Sequence, residues 1–266
     1  MDAMTISICS AVLFLGLVFC FYLGFHMGKL SKVNGGSSVL NGAVFGLLSL
    51  LLAFSFSGAA ERFQHRRDLI TKEANAVGTA YLRLDLLPSG TRASLRKSMQ
   101  QYLQSRLDIY QAKAHSPAAQ AAYQRSTELQ NKIWTEATTA AQKSGNAVVL
   151  SLVSSSLNDM FDVTIMRLAA TRSQPPRIIT ILLFVIAWIS AFLAGYGMTD
   201  HIRIPWVQVI IFSATLAITV FMILDLEYPR LGLTRINSAD RLLIETLHEM
   251  KAATDSRHSQ QAHLSH

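Results

Sequence analysis

Charged residues are scarce in this sequence. Asp, Glu, Lys and Arg make up 15% of the 266 residues, and hydrophobic residues make up 50%. A typical soluble domain carries about 25% charged residues. The composition therefore argues against a soluble protein and predicts one that is largely embedded in a membrane.

Cysteine is almost missing. The chain contains two cysteines, Cys9 and Cys20, and both lie in the same apolar run near the N-terminus. One straight helix keeps two such positions too far apart for an S–S bond. We therefore expect small apolar packing roles for both, and neither a disulfide nor a cysteine metal site.

The sequence also lacks the motifs of common catalytic sites. It has no phosphate-binding glycine loop, no dinucleotide-binding glycine pattern and no zinc-protease histidine pair. A nucleophile with a neighbouring base is not recognisable either. We therefore predict that the chain is not an enzyme and that it needs no cofactor and no metal.

What the chain does have is four apolar runs of the length that crosses a bilayer, about 20 residues. Both termini and residues 61–177 would then share one side of the membrane. The two loops on the other side, near 28–38 and 199–203, hold only three of the 24 Lys and Arg residues. The excess of Lys and Arg on the side of the termini predicts that both termini are cytoplasmic, in a bacterial inner membrane. The same excess explains the net charge of +7, so we expect no nucleic-acid partner. The runs are Met4–Met27, Val39–Ala60, Ile178–Met198 and Ile204–Leu226.

The fold class that follows is an all-α membrane protein. Residues 1–60 hold two transmembrane helices, 61–177 form a helical cytoplasmic region, and 178–228 hold two more spans. Residues 229–266 are expected to form a short amphipathic cytoplasmic helix and a disordered tail. Within the cytoplasmic region, apolar residues recur at helical spacing in three segments, near 91–114, up to 143, and after 146. All six prolines lie at predicted helix boundaries.

The second span continues into the cytoplasmic region without a proline or a loop. At 100° per residue, nine of its positions form one continuous line, which is polar throughout its cytoplasmic part. We call this line the water-facing stripe. It consists of Leu50, Phe54, Ser57, Glu61, His65, Asp68, Lys72, Asn75 and Thr79.

In a ring of identical helices, the stripe would line a central axis. Leu50 and Phe54 would form an apolar constriction above a polar vestibule, an arrangement that gates by dewetting. Small residues beside the stripe would let such helices approach closely. Ordinary packing between the spans of one subunit explains the small residues equally well, so both interpretations stay open. The small residues are Gly42, Gly46, Ser49, Ala53 and Ala60.

Two carboxylates, Asp225 and Glu227, end the fourth span at the cytoplasmic interface. We expect them to stop the span and to pair with Arg230. A functional role would require that they are buried.

The end of the second span resembles the second transmembrane helix of bestrophins. There an apolar neck is followed, about two turns later, by an arginine–aromatic pair, which is Arg62–Phe63 here, eight positions after Phe54. The segments "EANAVGTAYLRLDLLP", "LNDMFD" and "ILDLEYPRLGL" are similar to the bacterial bestrophin-like domain family of uncharacterised membrane proteins. The likeness spans about residues 40 to 235.

Bestrophins are pentameric ion channels with four spans per subunit. The resemblance therefore implies a homo-oligomer, of five copies, in a lipid bilayer, with small inorganic ions as the transported partners. The neck would be Gly46, Leu50 and Phe54, and the vestibule Ser57, Glu61, His65 and Asp68.

Some features depart from the family pattern. Gly46 cannot narrow a pore as an isoleucine would, and the acidic cluster that holds calcium in animal bestrophins has no counterpart. Rings of Glu61 and Asp68 favour cations, whereas several bestrophins pass anions, so selectivity stays open. His65 could add pH sensitivity or could simply be a solvated residue.

The alternative hypotheses do not involve conduction. The chain could be a membrane scaffold or sensor that binds a partner through its cytoplasmic helices. A third hypothesis is a lipid- or metabolite-binding membrane protein.

Overall fold

The structure, a computed structural model, describes residues 3–31, 38–112, 116–172, 177–198, 203–227 and 241–253. Within these ranges the chain is helical and contains no strand, so the predicted all-α class is confirmed. The helices are α1 (Ala3–Ser31), α2 (Ser38–Arg83), a 3₁₀ turn (Leu84–Leu86), α3 (Ser89–Gln111), α4 (Pro117–Lys143), α5 (Ala147–Arg172), α6 (Arg177–Gly197), α7 (Trp206–Glu227) and α8 (241–253).

The long second helix has 46 residues and no interruption. At a rise of 1.5 Å per residue it measures about 70 Å, more than twice the thickness of a bilayer core. Helix α2 ends shortly before Pro88, because the residue before a proline avoids helical geometry. Leu87 is extended, with φ −85° and ψ 157°, and Pro88 then precedes α3.

The helices group into two compact units. The first unit contains residues 1–64 and 173–235, that is α1, the first part of α2, α6 and α7. Its core is aliphatic and includes Leu13, Leu17, Leu183 and Val220. These residues come from helices with apolar side chains on every face, as expected for membrane spans.

Two glycines let α1 and α6 cross at close range. A Cβ atom added to Gly24 would lie 2.1 Å from the carbonyl oxygen of Phe192. A Cβ atom added to Gly195 would lie 2.1 Å from the carbonyl oxygen of Phe21. Only glycine fits at either position, because the two backbones touch there.

The second unit contains residues 65–172 and 236–266. The expected apolar lines of α3, α4 and α5 meet in its core, where Leu95, Ile133 and Leu157 are fully buried. The hydroxyl of Ser116 accepts a hydrogen bond from the amide of Ala119 and thereby caps the N-terminus of α4.

The C-terminal amphipathic helix also packs in the second unit. Leu243, Leu247 and Met250 of α8 are buried in its core. The carbonyl oxygen of Met250 accepts hydrogen bonds from the Tyr81 hydroxyl at 2.9 Å and the Gln100 amide at 3.0 Å. These bonds tie α8 to α2 and α3.

Five of the described helices are long and apolar enough to cross a membrane, one more than predicted. Four of them, α1, α2, α6 and α7, coincide with the predicted spans. The fifth is α5, whose most apolar window has a mean hydropathy of 1.3, against 2.1 to 2.6 for the others. Because α5 buries Val153, Leu157 and Met160 in the core of the second unit, a cytoplasmic location remains our prediction for it.

Candidate pore-lining face of the second helix

All nine residues of the water-facing stripe are exposed in the single chain. The two apolar members are also uncovered, since Leu50 is 51% and Phe54 is 67% exposed. The predicted vestibule residues Ser57, Glu61 and His65 continue the same exposed line. Helix α2 therefore carries a single free face from its apolar half into its polar half.

The apolar half of α2 is barely covered by its own chain. Only 6% of its most apolar window is buried, against 22% for α1, 28% for α6 and 39% for α7. Its contacts within the first unit include Leu48 in the core and the Phe45 ring, 6.2 Å from the ring of Phe212. An apolar helix so poorly covered has its remaining surface available for lipid or for another copy of the chain.

The small residues predicted to pack helices together are exposed as well. Gly42, Gly46, Ser49 and Ala53 all face away from the protomer. A Cβ atom added to Gly42 or Gly46 would meet no atom within 4 Å. Packing between the spans of one subunit therefore does not account for these four positions.

The opposite side of the polar half of α2 faces protein. Ile70, Ala74, Val77 and Tyr81 are buried in the core of the second unit, together with Leu84 of the following 3₁₀ turn. Such burial fixes which side of the helix is covered, and the water-facing stripe on the other side is exposed.

An ion pair holds α2 to the end of α7. The Arg62 side chain donates from Nε to both carboxylate oxygens of Glu227, at 2.9 and 3.2 Å, and its terminal nitrogen donates to one of them as well. The Glu227 side chain is buried, whereas a third of the Arg62 side chain is exposed. Forked arginine–carboxylate contacts of this kind fix geometry as well as charge.

Both interface carboxylates are buried, with Asp225 0% and Glu227 5% exposed. We expected pairing with Arg230, which lies outside the described residues. Glu227 is paired with Arg62, 165 positions earlier in the chain. Burial of both carboxylates meets the condition that a functional role required.

A second charged cluster surrounds Glu73, which is completely buried in the second unit. Its carboxylate is bonded by Arg106 at 3.2 Å and by Arg167, and the Tyr110 hydroxyl lies 3.0 and 3.1 Å from its two oxygens. The Arg167 guanidinium stacks on the Tyr110 ring, 3.6 Å from its centre. The cluster ties α2 to α3 and α5.

The tyrosines near this cluster are held in the neutral form. Burial raises the pKa of the Tyr110 phenol, and the nearby Glu73 carboxylate raises it further. Burial also raises the pKa of Tyr102, whose hydroxyl lies 3.0 Å from that of Thr164. Both phenols are therefore hydrogen-bonding groups across the physiological pH range.

Sequence periodicity did not identify either charged cluster. Glu73 lies between Ile70 and Val77 on a line of buried apolar residues, and a lone charge in such a line is the available signal for a buried ion. Its partners on α3 and α5 are 33 and 94 positions away, so no local pattern points to them. Among the described residues, no group of His, Cys, Asp and Glu could hold a metal ion.

Comparison with known proteins gives one family match. A sequence model described as the bestrophin-like domain matches residues 8–240. No curated protein sequence matches the chain.

The fold resembles that of solved bacterial proteins. Two crystal structures of a bestrophin homologue from Klebsiella pneumoniae, each with a single substitution, superpose with a TM-score of 0.71 at 14% and 15% identity. In both, the match covers 91% of this chain and 98% of the other. A third substituted form of the same homologue gives a TM-score of 0.70 at 11% identity over 93% of this chain and 98% of the other. At these identities the likeness concerns the fold.

Proposed function

Because the chain belongs to the bestrophin-like domain family, we propose that it is a homo-oligomeric ion channel whose pore is lined by α2. The bestrophins that the sequence resembles are ion channels, which makes conduction the leading function. The observation that carries the proposal is the exposed water-facing stripe, which continues from Leu50 and Phe54 into Ser57 and Glu61 without a break.

The stripe has the chemistry that a gated pore requires. A ring of Phe54 and Leu50 side chains forms an apolar constriction that water leaves readily, so ions are stopped there until the neck widens. Gly46 lies one turn before Leu50 and adds no side chain to the neck. We therefore assign the narrowest part of the pore to Leu50 and Phe54. Below it, Ser57, Glu61, His65 and Asp68 form a hydrated vestibule.

The small residues support an assembly of several copies. Gly42, Ser49 and Ala53 leave the backbone of α2 open to close approach by a neighbouring helix. By resemblance we propose five copies, in a bacterial inner membrane, with both termini in the cytoplasm. The partners are then lipid, other copies of the chain and small inorganic ions.

Planar-bilayer recording of the purified protein tests this function. Phe54→Ala removes the Phe54 side chains from the apolar neck and widens it. We therefore expect larger or more frequent single-channel currents. Phe56→Ala is the matched control, because Phe56 is also exposed but points about 120° away from Leu50 around the helix. Equal currents in wild type and Phe54→Ala would place the pore elsewhere.

Glu61→Gln tests the vestibule. Loss of a ring of carboxylates should shift the reversal potential in a salt gradient toward anion permeation. Glu128→Gln is the control, since Glu128 is an exposed carboxylate on α4. A wild-type protein without currents across varied pH, voltage and salt would instead favour the non-conducting scaffold.

A further inference from the structure

One side of α2 carries three charged residues in a row, each held by a different part of the protein. Arg62 pairs with Glu227 of α7, Arg66 donates to the carbonyl oxygen of Ala170 at 3.2 Å, and Glu73 lies in the buried cluster. At 100° per residue, Arg66 and Glu73 point within about 40° of Arg62 around the helix axis. We call these three residues the keyed face of α2.

The keyed face fixes rotation more strictly than apolar packing does. Apolar side chains tolerate small rotations, because their contacts have no direction. A guanidinium that donates to both oxygens of a carboxylate works only in one orientation. A turn of α2 by one residue position would move Arg62 by 100° and break its bonds to Glu227.

The packing around Arg62 is adapted to this contact. Gly58 lies one turn earlier, and a Cβ atom there would come within 3.2 and 3.3 Å of the two terminal guanidinium nitrogens. Contacts that short would require the guanidinium to shift by a few tenths of an ångström. The glycine therefore leaves the space in which Arg62 lies along the helix and reaches Glu227.

We propose that the Arg62–Glu227 ion pair sets the rotation of α2 about its own axis at the neck. In this orientation Phe54 and Ser57 point toward the pore axis, and the flanking residues do not. The proposal rests on the proposed channel function and adds Arg62, Glu227 and Gly58 to it as positioning residues. Arg62 lies only five positions beyond Ser57, less than two helical turns. A rotation prevented at Arg62 is therefore prevented at the neck.

Cysteine labelling measures this rotation directly. Replacing Cys9 and Cys20 by alanine gives a cysteine-free chain, because these are its two cysteines. Single cysteines are then placed at position 57, on the stripe, or at position 56, about 100° away. In liposomes, a cationic thiosulfonate that cannot cross the membrane should label position 57 at least about tenfold faster than position 56.

Loss of the ion pair should remove this difference. In Arg62→Gln, we expect the ratio of the two labelling rates to fall about tenfold, toward one. Glu227→Gln removes the same pair from the other side and should have the same effect. The double variant Arg62→Glu with Glu227→Arg restores opposite charges and should recover most of the ratio, which general damage to the fold would not allow.

The outcomes separate the positioning role from the channel itself. An unchanged ratio in both single variants, with normal wild-type currents, would overturn the positioning role and leave the channel standing. A silent wild type would overturn the channel. Each variant is first checked for wild-type mass in detergent. If Arg62→Gln does not assemble, the ratio of the two labelling rates is measured in Arg62→Lys and the same outcomes apply. Lysine keeps the positive charge but cannot form the forked contact with Glu227.

Discussion

At the scale of single residues, the stability of the second unit is most sensitive to its buried charges. Glu73 is surrounded by two guanidinium groups and a phenol, so its environment holds one more positive charge than negative. Buried charges are tolerated only while their partners remain in place. The cluster is therefore a point at which single substitutions act strongly.

Replacing Glu73 by glutamine should destabilise the protein markedly. The change leaves Arg106 and Arg167 buried without a carboxylate, which typically costs about 3–5 kcal/mol of unfolding free energy. Denaturant unfolding in detergent, followed by circular dichroism, measures the loss. Glu136→Gln is the control, since Glu136 pairs with Lys132 at 3.9 Å on the exposed surface and should cost at most about 1 kcal/mol. Equal losses would refute the special role of the buried cluster.

Alkaline pH should also weaken this cluster. The pKa of Tyr110 is raised by folding above its ordinary value of 10.0, so the native state holds the phenolic proton more tightly than the unfolded chain does. The contribution to stability is complete below about pH 10 and is lost as the pH rises beyond it. Melting temperatures between pH 8 and 11 should therefore fall more steeply for wild type than for Tyr110→Phe. Parallel curves would show that Tyr110 does not contribute.

The residues at these clusters also show what the sequence could reveal. The exposed polar stripe of α2 follows from the sequence alone, because periodicity depends only on neighbours along the helix. Whether Glu227 would pair with Arg230 or with a distant residue depends on how helices pack, and no local pattern contains that information. Sequence reasoning therefore identified the exposed face of α2 and missed the contacts that hold its other side.

At the scale of elements, the two sets of glycines have different surroundings. Gly24 and Gly195 mark a tight crossing of α1 and α6, whereas Gly42, Gly46 and Gly78 have no atoms near their missing side chains. The sequence shows glycine in both settings and cannot tell them apart. The difference appears only when the neighbouring helix is in place.

Gly195→Ala should strain the α1–α6 crossing. The added methyl group meets the backbone oxygen of Phe21, which cannot rotate away as a side chain could. Overpacking of this kind typically costs about 1–3 kcal/mol. Thermal melting in detergent measures it, with Gly78→Ala as the control, which should stabilise α2 by up to about 1 kcal/mol through helix propensity. A neutral Gly195→Ala would mean that the helices can separate without cost.

At the scale of the whole molecule, one chain does not cover its own apolar surface. The apolar half of α2 is 6% buried, and its small residues face outward. The four predicted spans agree with helices of the structure, and α5 is a fifth helix long and apolar enough to cross a membrane. From the residues alone, assembly and packing within one subunit stayed equally open, and the resemblance decided for assembly. A contact between copies leaves no periodic signal that distinguishes it from a lipid-facing surface.

Ala53→Leu tests whether α2 helices of different copies meet. If they approach closely at the small residues, the larger side chain should weaken assembly by about 1–3 kcal/mol, equivalent to roughly 5- to 150-fold in the association constant. Mass photometry or native mass spectrometry in detergent would then show smaller species. Val207→Leu, on an exposed apolar site of α7, is the control. An unchanged oligomer in Ala53→Leu would remove this face from the assembly.

The unbroken length of α2 has a mechanical consequence. Tyr81, which binds the carbonyl oxygen of Met250, lies 27 residues beyond Phe54, about 40 Å along the same helix. Because α2 has no interruption, a rotation imposed on it near Tyr81 is passed along its backbone toward Phe54. We therefore expect that a molecule that displaced α8 from Tyr81 would also change the orientation of Phe54.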